Sequence, residues 1–122
     1  MTDVLVVEDE DTFREFMTLA LTMEGFSTRS AKSGEQAIEI MRQAPPDMVI
    51  LDLSMPFMSG WDVLRTMRSD PALAPIPVLV LTANADEDTR RRSLKERADG
   101  LLVKPVALEE VLQAIQNTLG SV

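Results

Sequence analysis

The sequence predicts an α/β domain whose parallel sheet is covered by helices on both faces. Five apolar runs alternate with five helical patterns along 122 residues, a length that fits one compact domain. Three of those runs are near-continuous in Val, Ile and Leu, the composition of strands buried on both faces. Alternation of strand and helix in this way builds right-handed βαβ units. Residues 1–122 are expected to form a single domain with no linker, repeat or low-complexity segment.

The first run is Val4–Val7. The helix after it carries Thr12-x-x-Glu15 as a capping box, Phe13, Phe16, Met17 and Ala20 as its inward stripe, and Gly25 as a left-handed stop. A weak run near Ser27–Ser30 is the second strand, and Ser33-x-x-Gln36 opens the second helix. Met48–Leu51 is the third strand. Ser59-x-x-Asp62 caps the third helix, whose stripe is Trp61, Leu64 and Met67 with Val63 beside them. Pro71, Pro75 and Pro77 mark a loop before the fourth strand, Pro77–Leu81. The fifth strand is Leu101–Val103, and Leu108, Val111, Leu112, Ile115 and Leu119 make a strong stripe on the last helix.

The fourth helix, about Asp86–Arg97, differs from the rest. Leu94 is its only large apolar side chain, so it belongs at the low-stability end of the domain. Five of the twelve basic residues crowd into it: Arg90, Arg91, Arg92, Lys95 and Arg97. They read either as a partner-docking patch or as partners of the acids before them. The second reading is favoured, because Asp86–Arg90, Glu87–Arg91 and Asp88–Arg92 are i,i+4 pairs with the acids leading, as the helix dipole prefers.

Composition excludes several functions. The net charge is −8, which argues against direct nucleic-acid binding, since phosphate contacts need a basic face. There is no Cys and no His, hence no disulfide, thiol nucleophile, histidine metal ligand, Ser-His-Asp triad or phosphohistidine carrier within the chain. No apolar stretch is long enough to span a membrane, and Met1-Thr2-Asp3 lacks the basic start of a signal peptide. The expected location is cytoplasmic.

The chemistry gathers at strand ends. Val4–Val7 runs into Glu8 and Asp9, Met48–Leu51 into Asp52, the fourth strand into Thr82, and the fifth into Lys104. In an open parallel sheet ligands bind beyond the carboxyl ends of the strands. Three carboxylates brought together there repel one another unless a cation neutralises them, and all-oxygen ligands favour Mg²⁺. A cation, a Lys and a Thr hydroxyl around one carboxylate suit an incoming phosphoryl group, with Asp as nucleophile forming an acyl phosphate.

Glu8-Asp9, Asp52 with Met55-Pro56 and Gly60 after it, Thr82-Ala83 and Lys104-Pro105 together resemble the receiver domain of two-component response regulators, of the chemotaxis-receiver kind. The resemblance covers essentially the whole chain. It implies a doubly wound, flavodoxin-like (βα)5 fold with strand order 2-1-3-4-5. It implies Asp52 as phosphoacceptor, Mg²⁺ held by Asp9, Asp52, the Ser54 backbone carbonyl and, mainly through water, Glu8, and Thr82 and Lys104 bonded to the phosphoryl oxygens. It further implies a cis Lys104-Pro105 bond and tuning of dephosphorylation by Ser54 and Asn84. The partners it implies are a histidine kinase or phosphotransfer protein as donor, and a downstream protein or output domain outside this chain. A phosphorylation-promoted dimer is a further expectation.

Two positions depart from that pattern. Leu101 stands where receivers often carry an aromatic residue that swings with the Thr, so switching here is expected to move a loop or the fourth helix without an aromatic rotamer change. Arg97-Ala98 replaces the common Gly-Ala, and a left-handed backbone at Arg97 would cost about 1 kcal/mol relative to Gly. Trp61 is read as core, and Met55 and Met58 as loop packing. Two other functions compete with the receiver. A phosphatase turning over on Asp52 would want a second acid two residues later, where this chain has Ser54. A degenerate receiver acting only as a binding module is opposed by the intact acids, Thr82 and Lys104. The last helix ends near Leu119-Gly120, which fits either a stand-alone receiver or one cut from a longer regulator or hybrid kinase.

Overall fold

The structure is a computed structural model describing residues 1–120. Strands and helices alternate strictly: β1 (Asp3–Val7), α1 (Asp11–Met23), β2 (Ser27–Ala31), α2 (Gly34–Gln43), β3 (Met48–Asp52), α3 (Gly60–Ser69), β4 (Val78–Thr82), α4 (Glu87–Lys95), β5 (Gly100–Val103) and α5 (Leu108–Leu119). The five strands form one sheet in the order β2-β1-β3-β4-β5, all neighbours parallel. This is the doubly wound, flavodoxin-like order, and it puts the ends of β1 and β3 side by side.

The apolar runs bury both faces because successive side chains point to opposite sides of a strand. Val4, Val6, Met48, Ile50, Leu79 and Leu81 pack with Met17 and Leu21 of α1 and Val111 and Ile115 of α5. Leu5, Val7, Val49, Leu51, Val78 and Val80 pack on the other side with α2 and α3. Both layers are needed to make the sheet a rigid platform for what its strands display at their carboxyl ends.

Several local expectations hold. Ser59 and Asp62 form a reciprocal capping box on α3, and Gly25 adopts φ 99° after α1. Met55 is buried and Met58 packs against the same core. Others are corrected. The α1 cap is Glu10, whose carboxylate accepts from the Phe13 N–H at 2.6 Å; Thr12 lies inside the first turn, because the Glu10 side chain reaches the free amide first. Phe16 is 55% exposed, and Leu21 takes its place in the core. Positions 13, 17 and 21 make the inward stripe at i,i+4 spacing, which rotates residue 16 toward solvent. On α2 the Ser33 side chain caps Gln36, but the Gln36 side chain reaches the Lys32 N–H instead of Ser33.

Helix α4 is held almost entirely from one end. Its only buried residue is Ser93, and Leu94 is 75% exposed, so the single large apolar side chain does not anchor it. The ties to α3 lie in its C-terminal half: the Arg92 guanidinium sits over the Trp61 ring at 4.4 Å, and Arg65 pairs with Glu96 at 3.3 Å. Beyond it, Arg68 donates to the Arg97 carbonyl at 2.8 Å. Of the three expected acid–base pairs only Glu87–Arg91 forms, at 3.2 Å. Asp86 is used as the N-cap, Arg90 turns back to the Ala85 carbonyl, and Arg92 goes to Trp61. Arg97 does have φ 65°, the left-handed conformation.

Arg68 is a half-buried hub. It donates to the carbonyls of Ala74, Ile76 and Arg97 and to the Asp99 carboxylate. It thereby fastens the end of α3 to the loop entering β4 and to the turn entering β5. Its guanidinium is held below the ordinary arginine value by burial, which Asp99 opposes.

Candidate functional site

Glu8 directly follows β1, and its N–H continues the ladder by donating to the Ala31 carbonyl at 3.0 Å. Asp52 is the last residue of β3, and the next N–H, Leu53, donates to Leu81 of β4 at 2.9 Å. Both acids are therefore fixed by sheet hydrogen bonds, at 0% and 3% exposure, while Asp9 is exposed one residue on. Carboxylate oxygens of Glu8, Asp9 and Asp52 lie within 4.8 Å of one another. The resemblance's metal-binding acids are thus brought together as expected.

Lys104 enters from β5. Its N–H donates to the Thr82 carbonyl at 2.8 Å, and the peptide bond to Pro105 is cis. The ammonium pairs with Glu8 Oε1 at 2.6 Å and lies 3.5 Å from Asp52 Oδ2. Burial works against the ammonium, but Glu8 and Asp52 outweigh it and hold Lys104 above the ordinary lysine value. Glu8 is pushed above its usual range, first by burial and then by the neighbouring Asp52 carboxylate, with Lys104 opposing both. Asp9 is raised too, by partial burial and then by Glu8.

Ser54 donates its N–H to Asp52 Oδ1 at 3.1 Å, so the backbone of the β3–α3 loop orients the carboxylate. Gly60 explains why that loop closes back so tightly. A Cβ there would meet the Asp52 carbonyl oxygen at 2.3 Å and the Leu53 Cα at 2.7 Å. Thr82 ends β4, buried, but its hydroxyl is turned into its own loop: it donates to the Asn84 carbonyl at 2.9 Å and accepts from the Asn84 N–H at 3.0 Å. Asn84 itself is exposed and bonded to Asp86. Leu101 is half-buried and packs on the α3 side of the core, not into the acidic cluster.

Two neighbours of the cluster were not anticipated. Arg14 donates to the Glu8 carbonyl at 3.0 Å and pairs with Asp11 at 2.6 Å, placing a positive charge behind the acids. The Asp11–Arg14 spacing of i,i+3 was a readable signal for the pair, though not for the carbonyl. The Phe13 ring lies under the Lys104 ammonium at 4.8 Å to its centroid. No sequence pattern joins those two, because they are brought together only by the sheet order.

Three clustered carboxylates, two of them buried, with an ammonium beside them form an all-oxygen set that fits a hard divalent cation. The family model described as "Response regulator receiver domain" matches residues 4–116. The probable transcriptional regulatory protein TcrX of Mycobacterium tuberculosis is 40% identical over 117 residues, covering 95% of this chain and 49% of that protein. The DNA-binding response regulator MtrA of Mycolicibacterium smegmatis is 35% identical over 116 residues, covering 95% of this chain and 50% of that protein. The chain spans about half the length of the curated relatives it matches. Among solved structures, chemotaxis protein CheY4 of Vibrio cholerae superposes with TM-score 0.92 at 28% identity, covering 97% of this chain and 98% of that one. A putative response regulator from Chloroflexus aurantiacus gives 0.92 at 30% identity, covering 98% of each chain. With five parallel strands in the order 2-1-3-4-5 and an acidic cluster at their carboxyl ends, the chain belongs to the response regulator receiver domain family.

Proposed function

We propose that this receiver accepts a phosphoryl group on Asp52 from the phosphohistidine of a histidine kinase or phosphotransfer protein. The observation that carries the reading is the position of Asp52: a buried carboxylate at the end of β3 with its Oδ2 3.5 Å from the Lys104 ammonium. An Asp52 oxygen attacks phosphorus, the P–N bond to the donor imidazole breaks, and the electron pair returns to the imidazole nitrogen. Asp52 becomes an acyl phosphate. Glu8, Asp9, Asp52 and the Ser54 carbonyl are the residues that would hold Mg²⁺. A bound cation would supply neutralising charge for the phosphoryl oxygens.

Lys104 shifts from Glu8 toward the new phosphoryl oxygens, and Thr82 turns its hydroxyl to them. That turn releases the Asn84 backbone and with it the loop leading into α4. Helix α4, β5 and α5 then present an altered face to a downstream protein or output domain, in this polypeptide or another. Leu101 takes part by repacking beneath α4. Water later attacks the acyl phosphate, at a rate tuned by Ser54 and Asn84. The net charge of −8 argues against a direct DNA contact by this chain, and no helix among the described residues is long and apolar enough to cross a membrane. The setting proposed is cytoplasmic, with phosphorylation promoting a dimer.

The test is direct. The protein is incubated with Mg²⁺ and acetyl phosphate, and its mass is measured. One labile phosphoryl adduct is expected, absent in Asp52→Asn and absent with a chelator. No adduct from acetyl phosphate or from a phosphorylated kinase domain would overturn the proposal, and multiple turnover of varied phosphoesters would replace it with a phosphatase.

A further inference from the structure

Lys104 has more than one partner to lose when a phosphoryl group arrives. Its ammonium carries three donors. One is committed to Glu8 Oε1 at 2.6 Å, and a second faces Asp52 Oδ2 across a longer 3.5 Å. Beneath the same nitrogen, at 4.8 Å from its centroid, is the Phe13 ring. The ring is fixed from behind. The Phe13 N–H is bound by the Glu10 cap at 2.6 Å, and the side chain packs against the core layer shared by α1 and α5. An aromatic face attracts a cation through its quadrupole but offers no directional lone pair. The contact with Phe13 therefore survives a small sideways shift of the ammonium, whereas the hydrogen bond to Glu8 does not.

We infer that Phe13 is a positioning residue for Lys104: its ring face keeps the ammonium over the acidic cluster while the nitrogen exchanges Glu8 for a phosphoryl oxygen on Asp52. This rests on the acceptor role proposed above for Asp52. It also gives α1 a part in the site beyond the turn that carries Glu8 and Asp9. The ring competes with no acid for the cation, so it steadies Lys104 without adding negative charge to a cluster that already has three carboxylates.

A packing role and an electrostatic role separate in one series. Phe13 is replaced by nonsense suppression with phenylalanines of increasing ring fluorination, which drains the quadrupole at nearly constant shape. The rate of Asp52 phosphorylation by acetyl phosphate is read at saturating Mg²⁺, beside the melting temperature and the Mg²⁺ affinity. A stepwise fall of about two- to five-fold across the series is expected, with melting temperature and Mg²⁺ affinity level, and with Phe13→Tyr near the parent rate and Phe13→Leu at the bottom. A second reading needs no phosphoryl donor: the side-chain resonances of Lys104 should be shifted upfield by the ring in the parent chain and relax in Phe13→Leu. A flat rate across the fluorinated series, or Lys104 resonances indifferent to Phe13→Leu, overturns the inference. If the parent chain takes no phosphoryl group while the Lys104 resonances do report the ring, it is the acceptor reading that has failed, and the positioning role for phosphoryl transfer falls with it.

Discussion

The Thr82 hydroxyl is closed onto the backbone of Asn84 from both sides, donating to its carbonyl at 2.9 Å and accepting from its N–H at 3.0 Å. The residue proposed to read the phosphoryl group is thus, in this state, the residue that shapes the start of the β4–α4 loop. It cannot do both. With Leu101 packed in the core layer beside α3, the proposed exchange of partners would be a relay that needs no aromatic rotamer change. On adding Mg²⁺ and a phosphoryl mimic such as beryllofluoride, the Asn84 amide should lose protection from hydrogen exchange, and the amides of α4 should follow. In Thr82→Val the Asn84 amide should exchange fast from the outset, with little further change. Identical exchange with and without the mimic in the parent chain would remove Thr82 as the link to α4.

The raised carboxyls of Glu8 and Asp9 make a prediction with a definite sign. Both lie above their ordinary values of 4.5 and 3.8, so without metal their protonated forms favour the folded state. Their contribution is fully present below those ordinary values and is lost as pH rises through the raised ones. Asp9→Asn should therefore stabilise the metal-free protein at pH 7, by less than about 1 kcal/mol because Asp9 is solvent-screened. It should also remove most of the stabilisation by Mg²⁺, which for the parent reaches about 2.7 kcal/mol at a hundredfold excess over Kd. Metal binding needs the ionised acids, so Mg²⁺ stabilisation should fade on acidification at a higher pH than ordinary carboxylates would give. Melting curves of both proteins, with and without Mg²⁺ from pH 4 to 8, read all three effects; an Asp9→Asn protein less stable without metal contradicts the electrostatics.

Gly60→Ala should cost about 1–3 kcal/mol, the usual range for overpacking. The new methyl meets main-chain atoms of Asp52 and Leu53, which a rotamer change cannot move aside. The loop must open, carrying the Ser54 N–H away from Asp52 Oδ1. Phosphorylation should slow even at temperatures where the variant is folded. Denaturant melts and acetyl phosphate kinetics on the same sample check this, and a variant with parent stability would show that the loop yields more easily than its geometry indicates.

Arg68→Ala should be the more damaging change, at about 3 kcal/mol, because three carbonyls and the Asp99 carboxylate lose a charged donor together. Arg68→Lys should rescue only part of this, since an ammonium cannot reproduce the planar fork that reaches Ala74, Ile76 and Arg97 at once. Urea unfolding of the two variants tests the ranking. Equal stability of Arg68→Lys and the parent would mean that charge alone, not geometry, holds the β4 entrance.

The strands and the chemistry at their ends were legible because they rest on short-range pattern. Continuous Val, Ile and Leu before Asp52 identifies a doubly covered strand, and the acid after it can only fall at the carboxyl end. The order 2-1-3-4-5 came from the family likeness, since no local pattern records which strands are neighbours. What escaped was set by competition among near-equivalent groups. Four acids lie between Glu8 and Asp11, and only the folded turn decides that Glu10 is the cap. Phe16 and Leu21 differ by their angle about an axis whose starting residue was misplaced. In α4 the i,i+4 spacing suited three ion pairs, but Asp86 was worth more as a cap, and Trp61, on another helix, drew Arg92 away. Phe13 and Lys104, ninety-one positions apart in the chain, could meet only after the sheet had been ordered.

Because α4 buries nothing larger than Ser93, almost any substitution on its outer surface leaves the two core layers untouched. With α4 as the proposed partner-facing helix, mutations that would unfold the protein and mutations that would change whom it addresses therefore fall on different residues. Duplicated copies of such a chain could diverge in recognition along α4 while Glu8, Asp9, Asp52 and Lys104 stay the same, so that a cell could hold many chemically identical acceptors that do not cross-talk through this helix.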